Sequence, residues 1–433
     1  MLILFQVVFL ISSVLLSPWY LAKMLRRGGA AHRFGERFGI YPSAARRRAA
    51  GKKHIWIQAC SIGEMRVALA LIGHLRKLRP DLPVALTTTT TTGMALAQKS
   101  APPDVMVLYF PVDFYPCALR ALRLLQPQIL LIVETDVWPT LVLTARRSGI
   151  PVGIVNGRMS EKSFRGYRRL GFISRAIYRE FNLVCAQGPM DAQRYARLGV
   201  RAAAVRITGS LKFDEAQNAG ANPGEARRFL AACGADSARP IWVCGSTFPG
   251  EEEIVFRTLH KLRGAFPALF LVVAPRHPER APKVMSIARR CGINLALRTE
   301  APQSGVDGIL LNSTGELKSF YGLATVIFVG KSLRGRGGQN LIEAAATGAP
   351  VLFGPAMQNF EAAAEKFIQA GGAIQVRDEN EMEARLHELL ASPDRRNQIA
   401  ERARDVIQTS SGATARTCSA ILEILAQAAA CGR

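Results

Sequence analysis

Short apolar runs alternate with helical stretches along most of the chain. In the first half, the apolar runs span residues 54–59, 84–90, 105–110, 129–135, 152–156, 183–186 and 205–209. They are rich in β-branched residues, and the segments between them carry helical patterns. Strands that alternate with helices form a parallel sheet covered on both faces. The pattern therefore predicts a doubly wound α/β domain.

A polar stretch at residues 215–225, rich in Gly, Asn and Pro, interrupts this alternation and is typical of an interdomain linker. The alternation then restarts in apolar runs at residues 241–245, 269–274, 308–312, 326–329 and 351–354, and helical patterns follow from Glu381 onward. The sequence thus predicts two α/β domains. We place them at residues 23–213 and 239–410, joined by a linker at 214–238 and followed by a C-terminal helix at 411–433.

The first 22 residues are almost entirely apolar and are followed by Lys23, Arg26 and Arg27. No charged residue precedes the apolar run and no small-residue cleavage site ends it, so the pattern favours a retained membrane anchor over a cleaved signal peptide. The positive charges that follow predict that the rest of the chain is on the cytoplasmic side. Because the run is barely long enough to span a bilayer, a helix lying in the interface is the alternative.

The composition adds a strong positive charge to this picture. Hydrophobic residues make up 49% of the 433 residues, which indicates a globular protein, and the net charge of +23 favours an anionic partner. Nucleic acid, a phosphate-rich substrate and an acidic membrane face all fit that charge. The basic residues are dispersed and few aromatic residues lie among them, which argues against nucleic acid. The eight cysteines are scattered without metal-type spacing, so we expect reduced, buried thiols.

Charged side chains follow three predicted strands of the first domain. The motif ACSIGE places Glu64 at a helix start, where it can act as a general base or simply interact with the helix dipole. The motif ILLIVETDVWP delivers Glu134 and Asp136 to a strand end, where paired acids can bind a metal, orient an acceptor or cap a loop. The motif GSLKFD puts Lys212 after the last strand. Ligands bind at such strand ends in open α/β sheets.

In the second domain, the apolar run at 326–329 leads into a loop, residues 330–338, that contains four glycines. A helical pattern begins at Gln339. Glycines let a backbone approach a phosphate closely, and the start of the following helix attracts an anion. Asn340 and Glu343 are three residues apart, so both can face one pocket and bind the hydroxyls of a ribose. An ordinary strand-to-helix turn with a surface glutamate is the alternative.

Two further strand ends of the second domain carry polar residues. Residues 274–280 read APRHPER, in which Arg276 can form a bidentate contact to a phosphate. Residues 312–316 read NSTGE, in which Thr314 and Gly315 offer backbone donors at a helix start. Parallel strands end at the same edge of a sheet, so these groups and the glycine loop can form one anion site.

Seven motifs occur in order: ACSIGE, VETDVWP, the N-x-R of residues 156–158, GSLKFD, APRHPER, STGE and GRGGQNLIEAA. Together they resemble the 3-deoxy-D-manno-octulosonic acid (Kdo) transferase family of lipopolysaccharide synthesis, nearly end to end. The resemblance implies a GT-B glycosyltransferase with two Rossmann-like domains facing a central cleft. It also implies that the second domain holds the donor CMP-Kdo, that the first holds a lipid A precursor, and that the helix at 411–433 packs on the first domain.

The resemblance also implies roles for individual residues. The catalytic base of the family matches Glu64, and its transition-state stabilising pair matches Glu134 and Lys212. Its contacts to CMP match Pro275, Arg276, Thr314, Gly315, Glu316, Asn340, Leu341, Ile342 and Glu343. The implied reaction transfers Kdo to lipid IVA with inversion. Because the leaving group is a nucleoside monophosphate, we expect the reaction to need no metal ion. It takes place at the cytoplasmic face of the inner membrane, where the positive charge favours anionic lipids as partners.

The chain departs from the family pattern at three positions. Members commonly carry Glu at the position of Asp136, His at that of Gln339 and Val at that of Ile62. Two of these positions, Asp136 and Gln339, adjoin assigned site residues. The alternative enzyme is another membrane-associated GT-B glycosyltransferase with a different nucleotide sugar, and the alternative non-enzyme is a membrane-tethered nucleic-acid-binding protein.

Overall fold

The computed structural model describes residues 33–218, 223–235 and 239–431. The chain divides into two compact units. Unit 1 contains the residues up to Glu215 and those from Ser411 onward, and unit 2 contains Ala216 to Ser410. The predicted anchor at residues 1–22 lies outside the described residues. Among those that are described, no helix is long and apolar enough to cross a membrane.

Unit 1 is built on a seven-stranded, fully parallel sheet with the strand order β3-β2-β1-β4-β5-β6-β7. The strands are β1 Ile55–Gln58, β2 Val84–Thr88, β3 Met106–Tyr109, β4 Ile129–Val133, β5 Val152–Gly157, β6 Leu183–Ala186 and β7 Val205–Ile207. In β1, Ile55 and Ile57 enter one apolar cluster and Trp56 enters another. Because strand side chains alternate between faces, this division shows that both faces of the sheet are covered.

The α-helices of unit 1 span Ser43–Ala49, Ile62–Leu78, Thr91–Ser100, Tyr115–Leu125, Pro139–Arg147, Glu161–Arg169, Phe172–Tyr178, Pro189–Leu198, Leu211–Asn218 and Ala413–Cys431, with 3-10 helices at Phe34–Phe38 and Ala202–Ala204. The last helix packs on Ile62–Leu78 and on β6. Asp214 fixes its start by accepting hydrogen bonds from the N–H groups of Gly412 and Thr414, each at 2.6 Å. The last helix of the described chain therefore completes one apolar cluster of unit 1.

Unit 2 repeats the architecture with a second seven-stranded parallel sheet in the order β10-β11-β9-β8-β12-β13-β14. Its strands are β8 Ile241–Thr247, β9 Phe270–Pro275, β10 Leu295–Leu297, β11 Gly308–Leu310, β12 Val326–Val329, β13 Val351–Phe353 and β14 Ile374–Gln375. The prediction of two parallel-sheet α/β domains is confirmed. The sequence pattern missed β10 and β14, which lie at the two edges of the sheet.

The helices of unit 2 span Gly224–Ala232, Glu251–Leu262, Ala281–Arg290, Leu317–Tyr321, Leu341–Ala345, Glu361–Gln369, Glu379–Ala391 and Pro393–Ser410, with a 3-10 helix at Pro278–Arg280. The first of these corrects the predicted linker at 214–238. Ala226, Phe229 and Leu230 have the spacing of one helix face and are buried. Part of the predicted linker is therefore a packed helix of unit 2.

Candidate active site

Glu64 lies in the first turn of the Ile62–Leu78 helix, directly after β1. Ser61 caps this helix: its hydroxyl accepts a hydrogen bond from the Glu64 N–H at 3.2 Å and donates one to Glu64 Oε1 at 2.8 Å. The other carboxylate oxygen accepts a hydrogen bond from the Cys60 N–H at 2.8 Å. These three hydrogen bonds at the helix start fix the position of the Glu64 carboxylate at the carboxyl edge of the sheet.

The pKa of Glu64 is raised above its ordinary value. Burial is the main cause, the hydrogen bond from the Cys60 N–H opposes it, and the negative charges of Glu134 and Asp136 raise it further. A carboxylate that holds its proton more tightly is a stronger base once ionised. Glu64 therefore has both the placement and the basicity expected of a general base.

Cys60, Glu64 and Asp136 each offer a ligand atom, and these atoms lie within 4.8 Å of one another. A metal ion is geometrically possible there. Burial, followed by the charges of Asp136 and Glu64, raises the pKa of the Cys60 thiol to about 12. In the absence of a metal ion, the Cys60 thiol is therefore protonated near neutral pH.

Glu134 and Lys212 form a close ion pair. The Lys212 Nζ atom lies 2.7 Å from Glu134 Oε1, and only 14% and 11% of the two side chains are exposed. Glu134 directly follows β4 and has a φ angle of 64°, in the left-handed region that non-glycine residues rarely adopt. Such strain is found where a side chain must point in a functional direction.

Asn156 and Tyr195 hold this ion pair in place. The Asn156 side-chain amide donates to Glu134 Oε1 at 3.3 Å and its oxygen accepts from the Leu211 N–H at 3.0 Å, so it links Glu134 to the start of the helix that carries Lys212. The Tyr195 hydroxyl donates to the Glu134 carbonyl at 3.3 Å. The sequence indicated Asn156 only as part of a motif. Tyr195 gave no signal, because it resembles any apolar residue on the inner face of a helix.

In unit 2, the ends of β8, β9 and β12 lie together. The Arg276 N–H donates to the Thr247 carbonyl at 2.9 Å, while the Arg276 side chain is exposed beyond Pro275, the last residue of β9. Gly330 follows β12, and a Cβ atom there would lie 2.6 Å from Thr247 Cα. Glycine is therefore required at position 330 by close backbone packing.

The first part of the glycine loop binds a carboxylate of the chain itself. Glu251 is 1% exposed. Its two oxygens accept hydrogen bonds, between 2.6 and 3.2 Å long, from the backbone N–H groups of Phe248, Lys331, Ser332, Leu333 and Arg334. The expectation that this part of the loop offers N–H groups to a ligand phosphate is therefore wrong. The sequence could not show this, because acidic residues are common at helix starts.

The second part of the loop leads to a helix that begins at Leu341, two residues later than predicted, and ends at Ala345. Asn340 is its N-cap, and its side-chain oxygen accepts a hydrogen bond from the Ile342 N–H at 3.2 Å. Leu341 and Ile342 are buried, so they can contact a ligand only through their backbones. Glu343 is half-buried near Tyr321, where its charge adds to the burial that raises the pKa of the Tyr321 phenol.

Thr314 and Gly315 are exposed in the turn before the Leu317–Tyr321 helix, and Gly315 has a φ angle of 93°. Glu316 is the N-cap residue of that helix. Its carboxylate accepts hydrogen bonds from the Ser313 hydroxyl and, at 2.8 Å, from Arg298. The candidate donor residues all follow strands of one sheet, whereas Glu64, Glu134 and Lys212 all belong to unit 1.

Comparisons with known proteins agree with the motif order. The family model described as 3-deoxy-D-manno-octulosonic-acid transferase (kdotransferase) matches residues 32–215, and a glycosyl transferase-like model matches residues 325–420. The 3-deoxy-D-manno-octulosonic acid transferase of Bordetella pertussis is 34% identical over 415 residues, which cover 93% of this chain and 94% of that protein. That of Haemophilus influenzae is 30% identical over 389 residues, which cover 89% of each.

Among solved structures, a glycosyltransferase from Rickettsia africae aligns with 87% of this chain and 99% of its own, with a TM-score of 0.60. Its sequence identity is 12%. At that identity the likeness concerns the fold alone, and it agrees with the two parallel-sheet α/β units described above.

Proposed function

We propose that this chain, which belongs to the 3-deoxy-D-manno-octulosonic acid (Kdo) transferase family, transfers Kdo from CMP-Kdo to the lipid A precursor lipid IVA. The transfer proceeds with inversion at the anomeric carbon. The similarity to relatives of that name, at 30% identity or more over most of the chain, supports glycosyl transfer in lipopolysaccharide synthesis. The donor, the acceptor and the stereochemistry are the finer parts of the proposal.

Glu64 is the proposed general base, and its placement is the observation that carries the proposal. Its carboxylate is fixed by Ser61 and by the Cys60 N–H, and its pKa is raised. In a single displacement it removes the proton from the sugar hydroxyl of the acceptor as the oxygen attacks the anomeric carbon. The bond to the phosphate of CMP breaks, and the configuration at the anomeric carbon inverts.

Lys212 is proposed to stabilise the negative charge that develops on the departing phosphate. Glu134, at 2.7 Å, holds the ammonium group in place. Asn156 fixes both ends of this pair. A cation that is already oriented before the reaction costs no reorganisation when the charge appears.

We assign CMP to unit 2, where Pro275, Arg276, Thr314, Gly315, Glu316 and residues 340–343 follow strands of one sheet. Arg276 is exposed and suited to a phosphate. Glu251 already fills the first part of the glycine loop, and the Ile342 N–H donates to Asn340. We therefore assign the nucleotide to the backbone at Asn340 and Leu341.

We further propose that the reaction needs no metal ion. CMP is a nucleoside monophosphate, so it leaves with less concentrated charge than a nucleoside diphosphate, and Lys212 and Arg276 can supply the positive charge. Transfer in excess EDTA tests this proposal. Loss of turnover that magnesium or manganese restores would instead make the Cys60, Glu64 and Asp136 cluster a metal site.

We also propose that the enzyme works at the cytoplasmic face of the inner membrane, through a single anchor at residues 1–22 and through anionic lipids. The net charge of +23 supports the second contact.

The central experiment is incubation with CMP-Kdo and lipid IVA, followed by mass measurement of the lipid. The expected product is heavier by one or more Kdo units. UDP-sugars in parallel reactions test the alternative, a membrane-associated GT-B glycosyltransferase with another donor. Transfer from a UDP-sugar without transfer from CMP-Kdo would overturn the proposal.

A further inference from the structure

A cavity of about 560 Å³ lies in unit 1, at the edge of the sheet where the strands begin. Pro151, Asn182 and Ala204 line it, and they directly precede β5, β6 and β7. Parallel strands begin at one edge of a sheet and end at the other, and Glu64 and Lys212 follow strand ends. The cavity is therefore separate from the candidate active site, and its volume is in the range of small-molecule sites.

The last helix of the chain closes one side of this cavity. Ile424, Gln427 and Ala428 are three and four residues apart, so they share one face of the Ala413–Cys431 helix, and all three line the cavity. Residues 426–430 are exposed, so the end of this helix is held less firmly than its start, which Asp214 fixes. A ligand in the cavity would contact both the sheet edge and the helix end.

Three arginines line the cavity, whereas none of its described lining residues is acidic. Arg146 Nη1 donates a hydrogen bond to the Ile150 carbonyl at 3.2 Å, but its Nε atom is buried and makes no hydrogen bond. Arg201 is exposed, and no carboxylate of the described residues lies at ion-pair distance from it. Arg206 is the third arginine and lies on β7. The lining is therefore cationic and has hydrogen-bond donors to offer.

Two nearby glutamates neutralise these arginines only in part. Glu180 Oε2 lies 3.8 Å from Arg146 Nε, and the same carboxylate also pairs with Arg179 at 3.3 Å. Arg206 pairs with Glu423 at 2.6 Å, but 36% and 53% of these two side chains are exposed, so water weakens the attraction. The cavity therefore keeps a positive potential that attracts an anion.

We propose that this cavity binds a small phosphate ester. Guanidinium groups bind phosphate oxygens through paired hydrogen bonds, and Arg146, Arg201 and Arg206 supply them. The cavity has room for more than a phosphate group, and Pro151 and Ile424 offer apolar surface to the rest of the molecule. Bound there, the ester holds the end of the last helix against the sheet. This inference does not depend on the proposed function.

Binding is tested by calorimetric titration of the full chain with glucose 6-phosphate and with inorganic phosphate, against glucose and sodium chloride at matched ionic strength. Hydrogen exchange of the amides at 424–430 locates the site. We expect saturable binding of both phosphate compounds, slower exchange at 424–430 with glucose 6-phosphate, and neither effect with glucose or chloride. Absence of saturable binding overturns the proposal, and so does binding that leaves exchange at 424–430 unchanged. Tighter binding of citrate than of either phosphate compound overturns the assignment to a phosphate ester.

The arginines are tested with Arg201→Gln and Arg146→Gln, compared with Arg147→Gln. Arg147 is the matched control, because it is exposed on the same helix as Arg146 but does not line the cavity. Each of the first two variants should weaken binding of glucose 6-phosphate by about tenfold or more, and the control should bind as the parent does. Arg201 is exposed and outside the core, so its variant decides the matter if Arg146→Gln fails to fold. Equal weakening in the control overturns the proposal. Binding that only Arg276→Gln removes also overturns it, because the phosphate then occupies the proposed donor site.

Discussion

Replacing Glu251 by Gln should weaken unit 2 strongly, although the substitution changes only one atom. Glu251 Oε1 accepts hydrogen bonds from the N–H groups of Ser332, Leu333 and Arg334, and Oε2 accepts from those of Phe248 and Lys331. An amide group has a single oxygen. In the better of its two orientations, its NH2 group faces two N–H donors that have lost their acceptor.

The magnitude follows from those two donors. A buried donor left without a partner costs about 1–3 kcal/mol, so the variant should lose about 2–6 kcal/mol in its free energy of unfolding. A whole domain is stable by only about 5–15 kcal/mol. The loss therefore removes much of the stability of unit 2 and should loosen the loop that leads to Asn340.

The assay combines urea unfolding with hydrogen exchange of the amides at 331–334, which reports on the loop directly. Glu253→Gln is the matched control. It lies on the same helix, its side chain is 44% exposed, and its ion pair with Arg290 is 3.5 Å long, so its loss should stay within about 0.5 kcal/mol. The reasoning is refuted if both variants unfold alike and the loop amides keep their protection.

Three further predictions concern activity and location. Glu64→Gln should lower transfer by about a hundredfold to ten-thousandfold and leave CMP binding nearly intact, because the amide cannot accept the acceptor's proton; near-normal turnover would remove Glu64 from the mechanism. As the pH rises, kcat/KM should increase with an apparent pKa above the ordinary glutamate value of about 4.3, since burial and neighbouring carboxylates favour the protonated form of Glu64. An apparent pKa at or below that value contradicts the assignment of Glu64 as the general base. Deleting residues 1–22 should shift the chain towards the soluble fraction and leave salt-sensitive binding to anionic vesicles; complete membrane retention at high salt would show that a second apolar docking surface exists.

The strands were predictable where burial on both faces leaves a plain apolar run. The Leu183–Ala186 and Val326–Val329 strands have the predicted bounds, because every residue in them is buried. The edge strand Ile374–Gln375 has only two residues, and its burial is incomplete, so its sequence carries no run to detect. Local apolar patterns thus reveal central strands better than edge strands.

The candidate site was predictable at the level of residue types at strand ends, and less so at the level of partners. The capping motif around Glu64 is local in sequence, so its structure follows from the residues themselves. The contacts of Glu251 with residues 331–334 join positions about eighty residues apart, and those of Tyr195 with Glu134 join positions about sixty apart. Only the tertiary fold brings such pairs together, and single-sequence patterns do not contain it.

The hydrogen bonds of Asp214 have a consequence for the order of folding. Asp214 binds the N–H of Gly412, which lies 198 residues later in the chain, and the helix that follows covers the Ile62–Leu78 helix. Unit 2 is continuous, so all of it leaves the ribosome before unit 1 has its last helix. A contact so distant in sequence forms slowly, because a long loop must close first. Although its sheet is synthesised first, unit 1 is therefore the unit that is completed last.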